Sequence, residues 1–135
     1  MIYLTKRFTF AASHVLRNPS FSNEQNLETY GKCSWDNGHG HNYTLEVTVK
    51  GEVPEATGMI IDLKELKSTV NKKLVDKLDH KHLNYDVDFL RGVIPTAENI
   101  ALKVWDELQK FLPEDMLYEI KLWETENNWV VYRGQ

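Results

Sequence analysis

Hydrophobic residues in this chain recur at every second position near both ends and at helical spacing through the middle. No single kind of element satisfies both periods, so strand, helix and strand must follow one another along the chain. Ile2 to His14 alternates as a strand, with Phe8, Phe10, Ala12 and His14 on one parity. His41 to Gly51 alternates again, Leu45, Val47 and Val49 facing one way and Glu46, Thr48 and Lys50 the other. Between these two segments, residues 17–38 carry turn signals at Asn18-Pro19-Ser20 and Asp36-Asn37-Gly38 and read as a long loop. The period then changes. Asp62 caps a helix to about Leu78 with Leu63, Leu66, Val70, Leu74 and Leu78 as its apolar stripe. Thr96, after Pro95, caps a second helix whose inner positions are Ala97, Ile100, Ala101, Val104, Leu108 and Phe111, and Pro113 stops it. Tyr118–Glu124 and Trp129–Arg133 are the third and fourth strands, joined at Asn127-Asn128. The expected class is α+β: a four-stranded antiparallel sheet with two helices inserted between strands 2 and 3. At 135 residues this suits a single domain, 1–135.

Four of the five histidines fall in two tight groups, His39-Gly40-His41 and His80-Lys81-His82. In an extended segment, positions i and i+2 point to the same side, so His39 and His41 can bind one metal ion. Gly40 between them leaves room for the backbone to approach a ligand. A third imidazole would complete a His₃ set and leave the fourth zinc position open, as catalytic zinc requires. His14 is placed for this if the first strand pairs with the second. A histidine ending an apolar row is also compatible with a hydrogen-bonded core residue. Cys33, six residues before His39, would instead close a structural site as fourth ligand.

Glu124 shares strand parity with Tyr118, Ile120 and Leu122. If that row faces the core, its carboxylate needs a partner, because an unpaired buried charge is costly. If the strand end turns outward, water or a lysine serves.

Other classes of function are disfavoured. The net charge of −4 and pI near 5.7 do not suit a nucleic-acid surface. Lys64, Lys67, Lys72, Lys73, Lys77 and Lys81 form a basic cluster, but acids interrupt it and it reads as a solvated helix face. No stretch approaches the length of a membrane span, and the first ten residues lack the apolar run of an export signal. A lone cysteine excludes an internal disulfide, so a reducing cytoplasm is expected.

Six blocks in order, Phe10-Ala-Ala-Ser-His14, Gly31-Lys-Cys33, Asn37-Gly-His-Gly-His-Asn-Tyr43, Leu78-Asp-His-Lys-His-Leu-Asn84, Pro95-Thr-Ala-Glu-Asn99 and Trp123-Glu-Thr-Glu-Asn-Asn128, resemble the pterin synthase family. That family comprises 6-pyruvoyltetrahydropterin synthase and 6-carboxytetrahydropterin synthase, and the resemblance spans the chain. It implies the tunnelling fold, in which the sheets of three subunits join into a barrel and two trimers stack as a homohexamer with active sites between subunits. It implies a Zn²⁺ on His14, His39 and His41, proton abstraction by Cys33, and a relay of Asp79 and His80 with that cysteine. It further implies that Glu124 anchors the pterin ring and that Thr96 touches it. The substrate implied is 7,8-dihydroneopterin triphosphate. Zinc would act as a Lewis acid on the side-chain oxygens, and a thiolate is a suitable base for the acidified carbon. A carboxylate can accept both hydrogen bonds from the amino and ring N–H edge of a pterin.

The product is read as 6-pyruvoyltetrahydropterin. The step from Cys33 to His39 and the Glu-Thr-Glu-Asn-Asn block resemble that branch. Pro95-Thr-Ala-Glu-Asn resembles the carboxy branch of the queuosine route, which releases acetaldehyde, and this is the alternative. A non-catalytic zinc-stabilised module and a phosphate-releasing metal hydrolase are the remaining readings. The triphosphate needs positive charge, for which Lys32 and Arg17 are candidates, and His82 is left as surface.

Overall fold

A computed structural model describes all 135 residues. Five strands form one sheet in the order β3-β1-β2-β4-β5. They are β1 (Ile2–His14), β2 (His39–Gly51), β3 (Lys81–His82), β4 (Leu117–Thr125) and β5 (Asn128–Tyr132). β1 and β2 pair antiparallel over their full lengths, from Ile2 opposite Gly51 to His14 opposite His39. That register puts Phe8, Phe10, Ala12 and His14 on the same face as Tyr43, Leu45, Val47 and Val49, and all eight are buried. The helices α2 (Leu63–Val70), α3 (Asp76–Leu78) and α4 (Ala97–Gln109) pack on this face, and with Leu117, Ile120 and Leu122 of β4 and Leu83, Val87 and Leu90 between α3 and α4 they contribute to a single core of 24 residues. The opposite sheet face mixes polar and aromatic pairs: Thr5 bonds Thr48 (2.7 Å) and Arg133 bonds Glu119 (2.8 Å), while the Trp123 and Trp129 rings lie 4.3 Å apart. No helix is long and apolar enough to cross a membrane.

The expected class holds, with corrections. The sheet has five strands, not four, and is not wholly antiparallel, because β3 lies parallel to β1 at Ala12 and Ser13. The segment read as loop contains α1 (Asn23–Tyr30) and a 3₁₀ turn, Gly31–Ser34. Ser22 and Gln25 form a capping box at the start of α1, yet only Asn26 of that helix is buried, so no apolar stripe announced it. The helix from Asp62 to Leu78 is interrupted by a π turn at Asn71–Val75. Apolar residues spaced strictly by four drift around an α-helix, and the wider turn absorbs the drift, so Leu66, Val70, Leu74 and Leu78 are all fully buried. Leu63, counted in the stripe, is instead 47% exposed. Near the start of β4 a bulge opposite Thr48 and Val49 places Leu117 in the core and removes Tyr118 from the core-facing row. The β4–β5 turn sits at Glu126-Asn127, one residue earlier than read.

Candidate metal centre and its surroundings

The β1–β2 register brings the three histidines together. His14 lies opposite His39, and Ala12 lies opposite His41, so the rings share the end of one sheet face. Ring centroids are 4.6 Å apart for His14 and His39, 4.8 Å for His39 and His41, and 5.1 Å for His14 and His41. One nitrogen from each ring lies within 4.8 Å of the others. The Nε2 atoms of His14 and His39 are 3.1 Å apart. A tetrahedral zinc with bonds of 2.0–2.1 Å has a ligand–ligand edge of roughly 3.4 Å, so this spacing is close to what one ion would need. Gly38 makes the approach possible. Its φ is +74°, and a Cβ there would lie 2.8 Å from the His14 carbonyl oxygen. At Gly40, by contrast, a Cβ would meet only the Ala12 carbonyl, at 3.4 Å.

The polar partners suit a cation. The His14 Nδ1–H donates to the Pro95 carbonyl at 2.8 Å, which fixes the tautomer and turns the Nε2 lone pair into the cluster. The Tyr43 hydroxyl lies 3.4 Å from the same nitrogen. His41 Nε2 is buried with no hydrogen-bond partner, and Glu124 Oε1 stands 3.9 Å from it. Burial lowers His14 to about pKa 4 against the opposing Pro95 hydrogen bond, with smaller contributions from His39, His41 and His82. Burial also lowers His41, opposed by Glu124. Both rings are thus held neutral, the form that binds metal. The three donors therefore fit a zinc ion. Cys33 is not part of the cluster, which consists of the three imidazoles.

The last residues of β1 also organise what surrounds the rings. The Ala11 N–H donates to Asp79 Oδ1 (2.9 Å), and the Ala11 carbonyl accepts the His80 N–H. The Ser13 carbonyl accepts the Leu83 N–H, and the Asn84 side chain bonds both the N–H and the carbonyl of Val15, each at 2.8 Å. One residue on, the Leu16 N–H donates to the Cys33 carbonyl at 2.8 Å. The 79–84 segment is thereby zipped along β1, and the turn bearing Cys33 is tied just past its end. Asp79 Oδ2 lies 3.1 Å from His80 Nδ1, with the His80 side chain 83% exposed. The Ala11 N–H is the main cause of a lowered Asp79 pKa, and His80 adds to it. His80 has φ +61°, which marks a sharp change of direction between α3 and β3.

Arg17 donates to the Ser34 carbonyl (3.0 Å) and Asn23 Oδ1 (2.7 Å) and lies 3.4 Å from Asp36. Its guanidinium is thus taken up in bracing the Cys33 turn. Glu124 sits at an irregularity of the β4–β5 ladder, between Trp123 and Thr125, on the face of the buried Ile120 and Leu122. The Thr96 hydroxyl caps α4 by accepting the Asn99 N–H (3.2 Å), and Asn99 Nδ2 donates to the Ile94 carbonyl (3.0 Å). The Pro95-Thr-Ala-Glu-Asn block therefore positions the carbonyl that orients His14. Pro95, Tyr43 and Asn84 were not foreseen in these parts. A main-chain carbonyl leaves no trace in side-chain pattern, though Tyr43 stood on the same parity as His39 and His41.

A family model described as 6-pyruvoyl tetrahydropterin synthase matches residues 3–135. The 6-pyruvoyl tetrahydrobiopterin synthase of Dictyostelium discoideum is 49% identical over 134 residues, covering 99% of this chain and 97% of that protein. That of Homo sapiens is 47% identical over 132 residues, covering 98% of this chain and 91% of that protein. The structure of Caenorhabditis elegans 6-pyruvoyl tetrahydropterin synthase matches with a TM-score of 0.93 at 35% identity, over 99% of this chain and 96% of that one. The chain belongs to the 6-pyruvoyl tetrahydropterin synthase family.

Proposed function

We propose that residues 1–135 act as one domain and as a zinc-dependent lyase converting 7,8-dihydroneopterin triphosphate to 6-pyruvoyltetrahydropterin and triphosphate. The carrying observation is the convergence of His14, His39 and His41 with the unpartnered His41 Nε2 beside Glu124. A metal cradle and a carboxylate suited to a pterin edge are thus neighbours. The names of the relatives from Dictyostelium discoideum and Homo sapiens support the pyruvoyl product over the carboxy alternative.

A zinc ion held by the three rings would supply Lewis acidity to the side-chain oxygens of the substrate. Glu124 accepts the amino and ring N–H hydrogens of the pterin and fixes its orientation. Thr96 contacts the ring from the start of α4. Cys33, as a thiolate, takes a proton from a side-chain carbon. Asp79 holds His80 through Nδ1 and stabilises its protonated form, so that ring relays the proton with Cys33. Elimination of triphosphate followed by tautomerisation leaves the overall oxidation level unchanged, so no redox cofactor is needed.

The largely exposed His80 ring, bonded within the chain only to Asp79, supports a site completed by a neighbouring copy. The strand edges support assembly into a barrel. β5 has no strand on its outer side, and β1 has a second strand only at Ala12 and Ser13. Exposed edges of this kind are templates for pairing with another chain. We infer a homohexamer of two stacked trimers. A cytoplasmic location fits the single free Cys33.

The test is incubation of zinc-loaded protein with dihydroneopterin triphosphate and mass spectrometry of the products. Pyruvoyltetrahydropterin is expected. Carboxytetrahydropterin with acetaldehyde would replace the reading by the carboxy branch. Phosphate without a change in the pterin spectrum would mean a hydrolase. Unfolding on chelation with no turnover would mean a zinc-stabilised module.

A further inference from the structure

Tyr43 is a buried phenol with no part in the roles above. Its side chain is fully buried, and its ring is stacked on Phe10 with centroids 4.9 Å apart and planes 10° from parallel. That stack fixes where the hydroxyl lies, 3.4 Å from His14 Nδ1 and within bonding distance of no other polar atom. We propose that Tyr43 is the positioning residue of Glu124, its hydroxyl donating to that carboxylate once His41 Nε2 is taken up as a metal ligand. The assignment rests on the zinc and pterin reading above.

The hydrogens at His14 decide the direction of the bond. A ring that offers Nε2 to a metal carries its hydrogen on Nδ1, and here that hydrogen goes to the Pro95 carbonyl at 2.8 Å. Nδ1 then has no lone pair with which to accept, so the Tyr43 oxygen receives only a second, weaker share of the same hydrogen. The hydrogen of the phenol itself has no acceptor in the chain. A buried donor left unpaired is costly. Glu124 has the opposite deficit. Its side chain is only 23% exposed, no donor in the chain bonds it, and His41 Nε2 stands 3.9 Å away.

The two residues are brought together by register. β2 and β4 pair antiparallel with Thr44 opposite Trp123, so Tyr43 and Glu124 are the next residues along the pair. Tyr43 lies on the parity of His39 and His41, its ring 5.7 Å from that of His41, and Glu124 approaches the same His41 ring. Burial first, and then the Glu124 charge, push the phenol pKa up, so the hydroxyl keeps its hydrogen through the neutral range. A ligating His41 Nε2 has no hydrogen to give, which leaves Tyr43 as the donor to Glu124. A carboxylate gripping the amino and ring N–H edge of a pterin uses one lone pair on each oxygen. A further donor on a remaining lone pair fixes the plane of the carboxylate without competing with the pterin.

The experiment is fluorescence titration of 7,8-dihydroneopterin, which lacks the leaving triphosphate, into the zinc-loaded full chain. Tyr43→Phe keeps the ring that stacks on Phe10, so the Tm of the metal-free protein should match that of the parent. Its dihydroneopterin affinity should fall about tenfold, as loss of a hydrogen bond to a charged group implies. In a Glu124→Gln background the same substitution should cost less than about twofold, because the carboxylate it serves is gone. Zinc affinity, read by competition with a chromophoric chelator, should stay within about threefold of the parent, since Pro95 keeps the shorter bond to Nδ1. An equal loss of dihydroneopterin affinity in both backgrounds overturns the role, because a merely structural residue would behave that way. A fall in zinc affinity as large as the fall in pterin affinity also overturns it, by assigning the hydroxyl to His14. If the parent binds no dihydroneopterin, the pterin reading fails and takes this role with it. If the parent binds it and Tyr43→Phe binds it equally well, the role fails alone.

Discussion

Lowering the pH of metal-free protein from 7 to 4 should destabilise it through His14. The ring is fully buried, and its folded-state pKa of about 4 lies below the ordinary 6.5. Below pH 6.5 the unfolded chain takes up a proton that the folded chain refuses. The contribution of the neutral ring is thus fully present above pH 6.5 and is lost as the pH falls toward 4. The gap from 6.5 to about 4, at about 1.4 kcal/mol per pH unit, comes to about 3 kcal/mol. Asp79 does not confuse this window. Its pKa is lowered from 3.8, so its contribution is lost only below that value. His41 is lowered as well, by burial, and so also favours the folded state less below pH 6.5. A difference experiment isolates His14: urea unfolding of wild type and His14→Gln in chelator, at fixed protein concentration because assembly also shifts stability. The wild-type unfolding free energy should fall more steeply between pH 6.5 and 4, by up to one extra proton. Equal slopes in the two proteins would refute the reasoning.

Four further outcomes follow from the geometry. Cys33→Ala should retain the zinc content of the parent by elemental analysis while turnover falls at least a hundredfold, the scale of a lost general base; loss of the metal would revive the closed structural site. Glu124→Gln should raise the KM for the pterin by about tenfold or more, as the loss of charged hydrogen bonds implies, and leave zinc content near that of the parent, because the carboxylate is not among the three converging metal donors. Thr96→Ala should cost about 1 kcal/mol of stability through the lost cap and weaken zinc binding through the adjoining Pro95 carbonyl. Thr96→Ser should rescue both, and an effect on KM alone would mean the residue serves only the substrate. Leu45→Ala, at a fully buried site in the middle of β2, should cost about 2–5 kcal/mol in urea unfolding.

What the sequence made legible was whatever obeys a long, uninterrupted period. The alternating rows of β1 and β2 predicted which side chains are buried, His14 included. The stripe of α4 held from Ile100 to Leu108, although Leu112 rather than Phe111 continues it into the core. Features set by other forces were not visible. α1 buries one asparagine and is held by its caps. β3 is two residues long, and it is fixed by the side chain of Asp79 bonding to Ala11 of β1 and that of Asn84 bonding to Val15 just past its end. Tyr118 left its row because a bulge takes up one residue, which no parity count detects. At the site, spacing alone gave His39 and His41. His14 was a candidate there on condition that β1 pairs with β2, the resemblance assigned it to the metal, and the antiparallel register that sets it opposite His39 is what brings it into the cluster.

That dependence on register explains why the parts of the site stand or fall together. Asp79 and His80 attach at Ala11, the 82–84 segment at Ser13 and Val15, and the Cys33 turn at Leu16, so β1 spaces them all. A slip of one residue between β1 and β2 would turn His14 to the polar face and move every attachment point with it. The buried Phe8, Phe10 and Ala12 resist such a slip, since they would be turned out of the core at the same time. Burying that apolar row therefore does more than stabilise the sheet. It sets the position of His14 against His39 and His41. A single Tyr43 ring, stacked on Phe10 at 4.9 Å and reaching His14 Nδ1 through its hydroxyl, joins the apolar row to the metal ligands.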